Sequence, residues 1–211
     1  MSAVMDRATK KTSAAPLLGE EDRARAEHYA VLSRLFSRAP DADFLQKLSA
    51  MAGAWGSVDS ALGQAWLVLG DAAKSFSAEA VEEEYTRIFL TIGRPEVMLF
   101  GSYYIAGFLM EEPVVELRHD LAELGLGRRL GITESEDHIA ALCDVMRHLI
   151  VTGPDAAGLA RQQLFFTRHI APWFEALCDA LEGAPEARFY PRTAALVRAY
   201  FEIERLAFDM L

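Results

Sequence analysis

Apolar side chains return roughly every three or four residues along almost the whole chain, and strand-like alternation is scarce. Over residues 20–37, Ala26, Tyr29, Leu32, Leu35 and Phe36 fall on one face. The same spacing predicts helices over 41–51 (Phe44, Leu45, Leu48), 57–76 (Leu62, Trp66, Leu69, Phe76) and 77–90 (Val81, Tyr85, Ile88, Phe89). A short helix is predicted over 113–124, ended by Gly125 and Gly127. The clearest stripe lies over 135–151, where Ile139, Leu142, Cys143, Met146, Leu149 and Ile150 share one side and Gly153-Pro154 is the stop. A longer helical pattern over 155–181 contains Pro172, which lacks a backbone donor and predicts a kink. Residues 190–208 close the chain. The expected fold class is all-α, a single-domain helical bundle of about eight or nine helices.

One interval breaks the period. Gly93 and Pro95 interrupt residues 91–101, yet Val97-Met98-Leu99-Phe100 follow. Loops normally lie at the surface. Apolar residues inside one are either tucked beneath it as a plug or presented to a partner. Residues 1–19 carry Arg7, Lys10 and Lys11 without an apolar run, and read as a disordered tail ahead of a helical domain over 20–211.

Composition narrows the function. With 211 residues the chain buries a full core without disulfides or metals. A net charge of −10 speaks against non-specific nucleic-acid binding, which needs Lys and Arg to neutralise phosphates. No segment approaches the ~20 apolar residues of a membrane span, so no stable membrane insertion is expected. Cys143 and Cys178 lie in apolar helical patterns without a paired spacing, as buried free thiols of a cytoplasmic protein do.

The candidate chemistry centres on Thr133-Glu134-Ser135-Glu136-Asp137-His138. Thr133-x-x-Glu136 has the form of a capping box, or Ser135 is itself the cap. In either register Glu136 and Asp137 fall near the positive end of the helix dipole, which stabilises by roughly 0.3–1 kcal/mol. His138 is not explained this way. A neutral imidazole is not expected to cap, and a protonated one is disfavoured there. Phe165, His169 and Trp173 share one helix face, most simply a core aromatic stripe with a hydrogen-bonded histidine. Glu82-Glu83-Glu84 reads as a solvated face.

Enzymatic signatures are missing. There is no HExxH, no GxxxxGK[ST] phosphate loop and no GxSxG. Glu116-x-x-His119 is one Glu-x-x-His element, where di-iron bundles use two together with further glutamates. A helical metalloprotein using Glu116, His119, Glu134 and His138 stays open as a rival, as does a structural helical adaptor. No cofactor is expected.

The order of motifs adds to this. Tyr85-x-x-Ile88-Phe89, a Gly/Pro loop, Gly101-Ser102-Tyr103, Glu134-x-x-Asp137-His138 and Phe165-x-x-x-His169-x-x-x-Trp173 follow one another. That order resembles the TorD/DmsD family of redox-enzyme maturation chaperones, related to the NarJ group, from about Arg25 to the C-terminus. Glu136 stands where that family's Glu-x-Pro-Asp-His signature has proline, and Arg87 where an aromatic is common. The resemblance implies a non-enzymatic cytoplasmic chaperone. Its partners would be the twin-arginine leader and the catalytic subunit of a molybdoenzyme, which it would assist in cofactor loading before export. It places leader-binding residues at Asp137, His138, Leu99, Phe100, Ser102 and Tyr103.

Physical reasoning about a basic head followed by an apolar helix points the same way. Such a leader needs carboxylates beside an apolar groove. Glu134, Glu136 and Asp137 are candidates for the first, and Tyr85, Phe89, Val97, Leu99 and Phe100 for the second. A monomer and a homodimer are both compatible with the sequence.

Overall fold

The computed structural model describes residues 18–91, 94–127 and 135–211. The tail expected over 1–19 therefore falls almost wholly outside the described residues, and so do Thr133 and Glu134. Among the described residues all regular structure is helical: α1 (Glu20–Ser37), α2 (Ala42–Trp55), α3 (Ala61–Ser75), α4 (Ala78–Phe89), α5 (Gly101–Ala106), α6 (Glu112–Glu123), α7 (Ile139–Thr152), α8 (Ala156–His169), α9 (Phe174–Glu182) and α10 (Tyr190–Asp209). The all-α bundle is as expected, and α1 matches its predicted bounds. No helix among the described residues is long and apolar enough to cross a membrane.

Short polar side chains fix four of the helix starts. Asp41, Ser60, Ser77 and Asp155 each accept the backbone N–H three residues on, at 2.7–3.2 Å. The Ser60 cap explains why α3 begins at Ala61 rather than near 57. Pro172 does more than kink the pattern over 155–181: it divides it into α8 and α9. The break frees the carbonyl of His169, and the indole N–H of Trp173 donates to it at 2.7 Å. A side chain thus replaces a lost main-chain donor.

The helices pack pairwise, α1 along α7, α2 against α3, and α10 against both α3 and α9. The α2–α3 crossing is close enough that a Cβ on Gly70 would lie 2.2 Å from the Cβ of Ala52. Two polar clusters sit inside the packing. Glu204 on α10, only 2% exposed, accepts from Arg25 Nε at 2.8 Å, Arg25 Nη2 at 2.9 Å and Tyr29 Oη at 3.0 Å. Each buried carboxylate oxygen is thereby satisfied, which a buried charge requires. His28 is sandwiched between Trp55 and Tyr200, with ring centroids 4.2 and 4.7 Å away. Its Nδ1 lies 2.8 Å from the Ala24 carbonyl oxygen, and its Nε2 accepts the Trp66 indole N–H at 3.0 Å. A neutral ring with its proton on Nδ1 satisfies both contacts.

The acidic run on α4 departs from expectation. Glu82 and Glu83 are exposed, but Glu84 is buried. Its carboxylate accepts the backbone N–H groups of Arg188, Phe189 and Tyr190 at 2.8–3.1 Å. The reason is physical. The start of α10 leaves unpaired donors and a positive dipole end, and a carboxylate answers both. Glu84→Gln is expected to lower unfolding free energy by roughly 1.5–3 kcal/mol in urea denaturation. A change below about 0.5 kcal/mol, as for an ordinary surface site, contradicts this anchoring role.

Burial pushes the His28 ring below its usual titration range, only partly opposed by its bond to Ala24. The unfolded chain therefore takes up the proton first as pH falls. The stabilising contribution is complete above the ordinary histidine range, about pH 6.5, and is lost on acidification through the lowered folded value. Titration of the His28 ring by NMR should have its midpoint below that of free histidine, with unfolding free energy declining over the same range. A ring titrating above the free value contradicts a neutral buried His28.

Candidate functional site

The motif segments 99–102 and 137–140 meet as one latch. Leu99-Phe100 runs antiparallel to His138, with a single bridge between Phe100 and His138. Gly101 donates its N–H to the Asp137 carbonyl at 3.0 Å, and Ile139 donates to the Leu99 carbonyl at 2.9 Å. The side chains tighten the join. Phe100, the residue before α5, offers no capping oxygen. Asp137 supplies it from across the latch, Oδ2 accepting the Ser102 N–H at 2.8 Å. Ser102 Oγ in turn accepts the Met110 N–H at 3.1 Å and holds the turn after α5. Asp137 Oδ1 is buried and has no hydrogen-bond partner. An orphaned oxygen on a buried carboxylate costs about 1–3 kcal/mol, so it is a place where a donor from outside gains.

His138 contradicts the capping expectation. α7 starts at Ile139, not 135, and His138 is its cap, Nδ1 accepting the Ala140 N–H at 3.1 Å. An imidazole nitrogen without its proton is an acceptor like any other, so a neutral histidine does cap. The ring also stands edge-on to Phe100 at 5.1 Å. Ser135 does not serve as the cap, and its buried Oγ has no partner.

The remaining candidates separate. Glu136 pairs with Arg118 of α6, Oε2 accepting from Nε at 3.1 Å and Nη2 at 3.0 Å. Tyr103 is half-buried and its hydroxyl meets Arg94. Tyr85, Phe89, Val97 and Leu99 are core residues, covered by the protein itself. The Tyr85 hydroxyl donates to the Phe36 carbonyl at 3.0 Å, and Phe89 packs on Tyr190 at 4.8 Å. The apolar loop is therefore the plug of the two readings, since Val97 and Leu99 fill space under it. Tyr104, absent from the sequence reading, stacks on Trp173 at 5.5 Å and donates to the Met98 carbonyl at 2.8 Å.

The exposed apolar surface lies one step further on. Ile105, Phe108, Leu109, Met110 and Val115 face solvent, Phe108 at 71% and Met110 at 60%. Gly107 and Met110 take left-handed backbone conformations, with φ of 82° and 61°. Phe108-Leu109-Met110 between a glycine and Glu111-Glu112-Pro113 was the available signal, since an apolar triplet in a turn has no core to enter. Below α5 a small cavity of about 110 Å³ is lined by Ser102, Glu116, Asp137, Arg168 and His169. A cleft of about 470 Å³ on the other side of the latch is lined by Ser33, Glu136, His138, Asp144 and His148.

His169 is the hydrogen-bonded core histidine expected. Nε2 lies 2.7 Å from Asp120 Oδ2, and Arg168 Nη1 donates to Asp120 Oδ1 at 2.9 Å, which ties α8 to α6. Burial lowers the His169 titration range, and Asp120 opposes that. The proposed metal set does not assemble. Among the described residues the converging ligand atoms belong to His119, Asp120 and Glu123, without Glu116 or His138. Asp120 already holds Arg168 and His169, and Glu134 lies outside the described residues.

Residues 56–179, more than half of the chain, match the model of the nitrate reductase delta subunit family. Chaperone protein TorD of Vibrio cholerae is 23% identical over 136 residues, covering 61% of this chain and 62% of that protein. Chaperone protein TorD of Photobacterium profundum is 22% identical over 130 residues, covering 57% and 60%. The chain thus spans about three-fifths of the length of the curated relatives it matches. The fold is similar to the crystal structure of a candidate redox enzyme maturation protein from Archaeoglobus fulgidus, with a TM-score of 0.56. That likeness covers 85% of this chain and 93% of the other at 20% identity. The matched segment includes the whole Asp137-His138 latch, and the chain belongs to the nitrate reductase delta subunit family, in keeping with its TorD/DmsD-type order of motifs.

Proposed function

We propose that this protein is a non-enzymatic maturation chaperone that binds the twin-arginine leader of a molybdenum-containing oxidoreductase subunit. It does so in the cytoplasm and assists cofactor loading before export. The observation that carries the reading is the exposed apolar edge Ile105, Phe108, Leu109, Met110 and Val115, flanked by the exposed carboxylates Glu111, Glu112 and Glu116. Apolar surface rimmed with acid suits a partner that is apolar and basic, as such a leader is. The neighbouring latch supplies Asp137 Oδ1, a buried acceptor without a donor.

The magnitudes divide the labour. Burying two or three leader side chains on this edge contributes ~1.5–3 kcal/mol each before ordering costs. Exposed ion pairs contribute ~0–1 kcal/mol each. The apolar edge sets affinity, and Glu136 with the neighbouring acids sets orientation and on-rate. Asp137, His138 and Ser102 act by positioning α5, which carries Tyr103 and Ile105. Phe100 backs the latch. Tyr85, Phe89 and Leu99 support it from the core. Glu134 belongs to the same acidic mouth by sequence.

Phe108→Ser is expected to weaken binding of a synthetic leader peptide about 10-fold or more in calorimetry, with melting temperature unchanged, because Phe108 makes little use of the core. Tyr85→Phe should do the reverse: affinity holds, and stability drops by about 1 kcal/mol with the lost bond to Phe36. Unchanged affinity in folded Phe108→Ser and Met110→Ser proteins removes the edge from the site.

A further inference from the structure

Met110 is an uncommon residue for the place it holds. Its backbone is left-handed, with φ of 61°, a conformation that residues with a Cβ rarely adopt. Ser102 Oγ fixes it there by accepting the Met110 N–H at 3.1 Å. The side chain belongs to the exposed apolar run Phe108-Leu109-Met110 and is itself 60% exposed. The chain has 7 methionines. Among the described ones, Met146 is buried, and Met51 and Met98 are half-buried. Met210 is exposed but follows α10, which packs on α1, α3, α8 and α9. Met110 is thus the described thioether that is both open to solvent and set in the apolar edge. Cys143 and Cys178 do not compete with it for oxidants. Both are buried, and burial raises their thiols above the usual range, leaving little of the reactive thiolate.

We propose that Met110 is an oxidation site that switches the leader-binding edge off. The inference rests on the leader-binding reading above. The oxidant is a hydroperoxide, hydrogen peroxide being the simplest. A lone pair of the Met110 sulfur attacks one peroxide oxygen, the O–O bond breaks and an S–O bond forms. The proton of the transferred hydroxyl passes to the departing hydroxide, which leaves as water. The thioether is oxidised to the sulfoxide, the peroxide is reduced, and net charge is unchanged. The product is polar and chiral where the edge uses an apolar, pliable group. Covering it with a leader strands the sulfoxide oxygen without a donor. The change acts on affinity and not on the fold, because the bond to Ser102 uses the Met110 backbone and the side chain lies outside the core. A sulfoxide reductase reverses the step, taking two electrons from a dithiol and releasing the oxygen as water.

The test uses the full chain and a synthetic peptide without Met, Cys or Trp. The peptide has two consecutive arginines ahead of an apolar stretch of about 12 residues, the length of an export-signal core. The protein is treated with dilute hydrogen peroxide, the excess is removed with catalase, and mass spectrometry of a digest reads which methionines have gained an oxygen. Peptide binding is then measured by fluorescence anisotropy. Oxidised wild type is expected to bind about 10-fold more weakly, with its melting temperature unchanged. Methionine sulfoxide reductases with dithiothreitol should restore the affinity. Met210→Leu should show the same loss on oxidation. Met110→Leu should hold its own starting affinity through the treatment, whatever that value is. Full conversion of Met110 with affinity intact overturns the switch, and so does an equal loss in Met110→Leu. If Met51 or Met98 oxidises before Met110, exposure does not select the site and the inference falls. In each of these cases leader binding by the reduced protein still stands. A reduced wild type that does not bind the peptide removes the leader-binding reading, and the switch with it.

Discussion

A buried carboxylate placed against donors from a distant part of the chain is the constraint on which this bundle depends. Glu84 closes the start of α10, Asp137 closes the start of α5, and Asp120 joins α6 to α8 through His169 and Arg168. Glu204 gathers Arg25 and Tyr29 between α1 and α10. In each case donors of one helix or helix start are held by an acid from elsewhere in the chain. Burial makes the arrangement stringent, because removing the partner leaves a charge or a donor stranded in a poorly solvating interior.

This changes the meaning of the acidic composition. The net charge of −10 suggests a protein whose acids are spread over its surface. Among the described residues, Glu84, Asp120, Asp137 and Glu204 are buried and satisfy internal groups. Among the acids that remain outside, Glu111, Glu112 and Glu116 adjoin the exposed apolar residues Phe108, Met110 and Val115. Local charge beside apolar surface, rather than the total, favours a basic and apolar partner.

The helices were legible because each buries a stripe, and a stripe repeats with the helical period. The same property hid the site. Tyr85, Phe89 and Leu99 have the spacing of groove residues, but spacing records that a side chain avoids water, not whether a core or a partner covers it. α5 was not legible because its 6 residues are too few to show a period. Glu84 was hidden for a different reason: its three donors lie more than a hundred residues away, and no local pattern announces them. The pairing of Asp137 with Ser102 was partly legible. Family order set the two segments side by side, while the direction of the hydrogen bond, from the Ser102 N–H to the carboxylate, needed coordinates.

The break at Pro172 has an optical consequence. Trp173 ends up with its indole N–H on His169, its ring stacked on Tyr104, and its ring atoms close to Gly101, where an added Cβ would lie 2.9 Å from Nε1. It therefore touches both the break and the first residue of α5. Trp55 and Trp66, the other two of the chain's three tryptophans, are engaged with His28. Substituting those two leaves an indole whose emission colour follows the seating of α5. The protein thus carries a built-in fluorophore beside its latch, which reports on the seating of α5 without an attached dye.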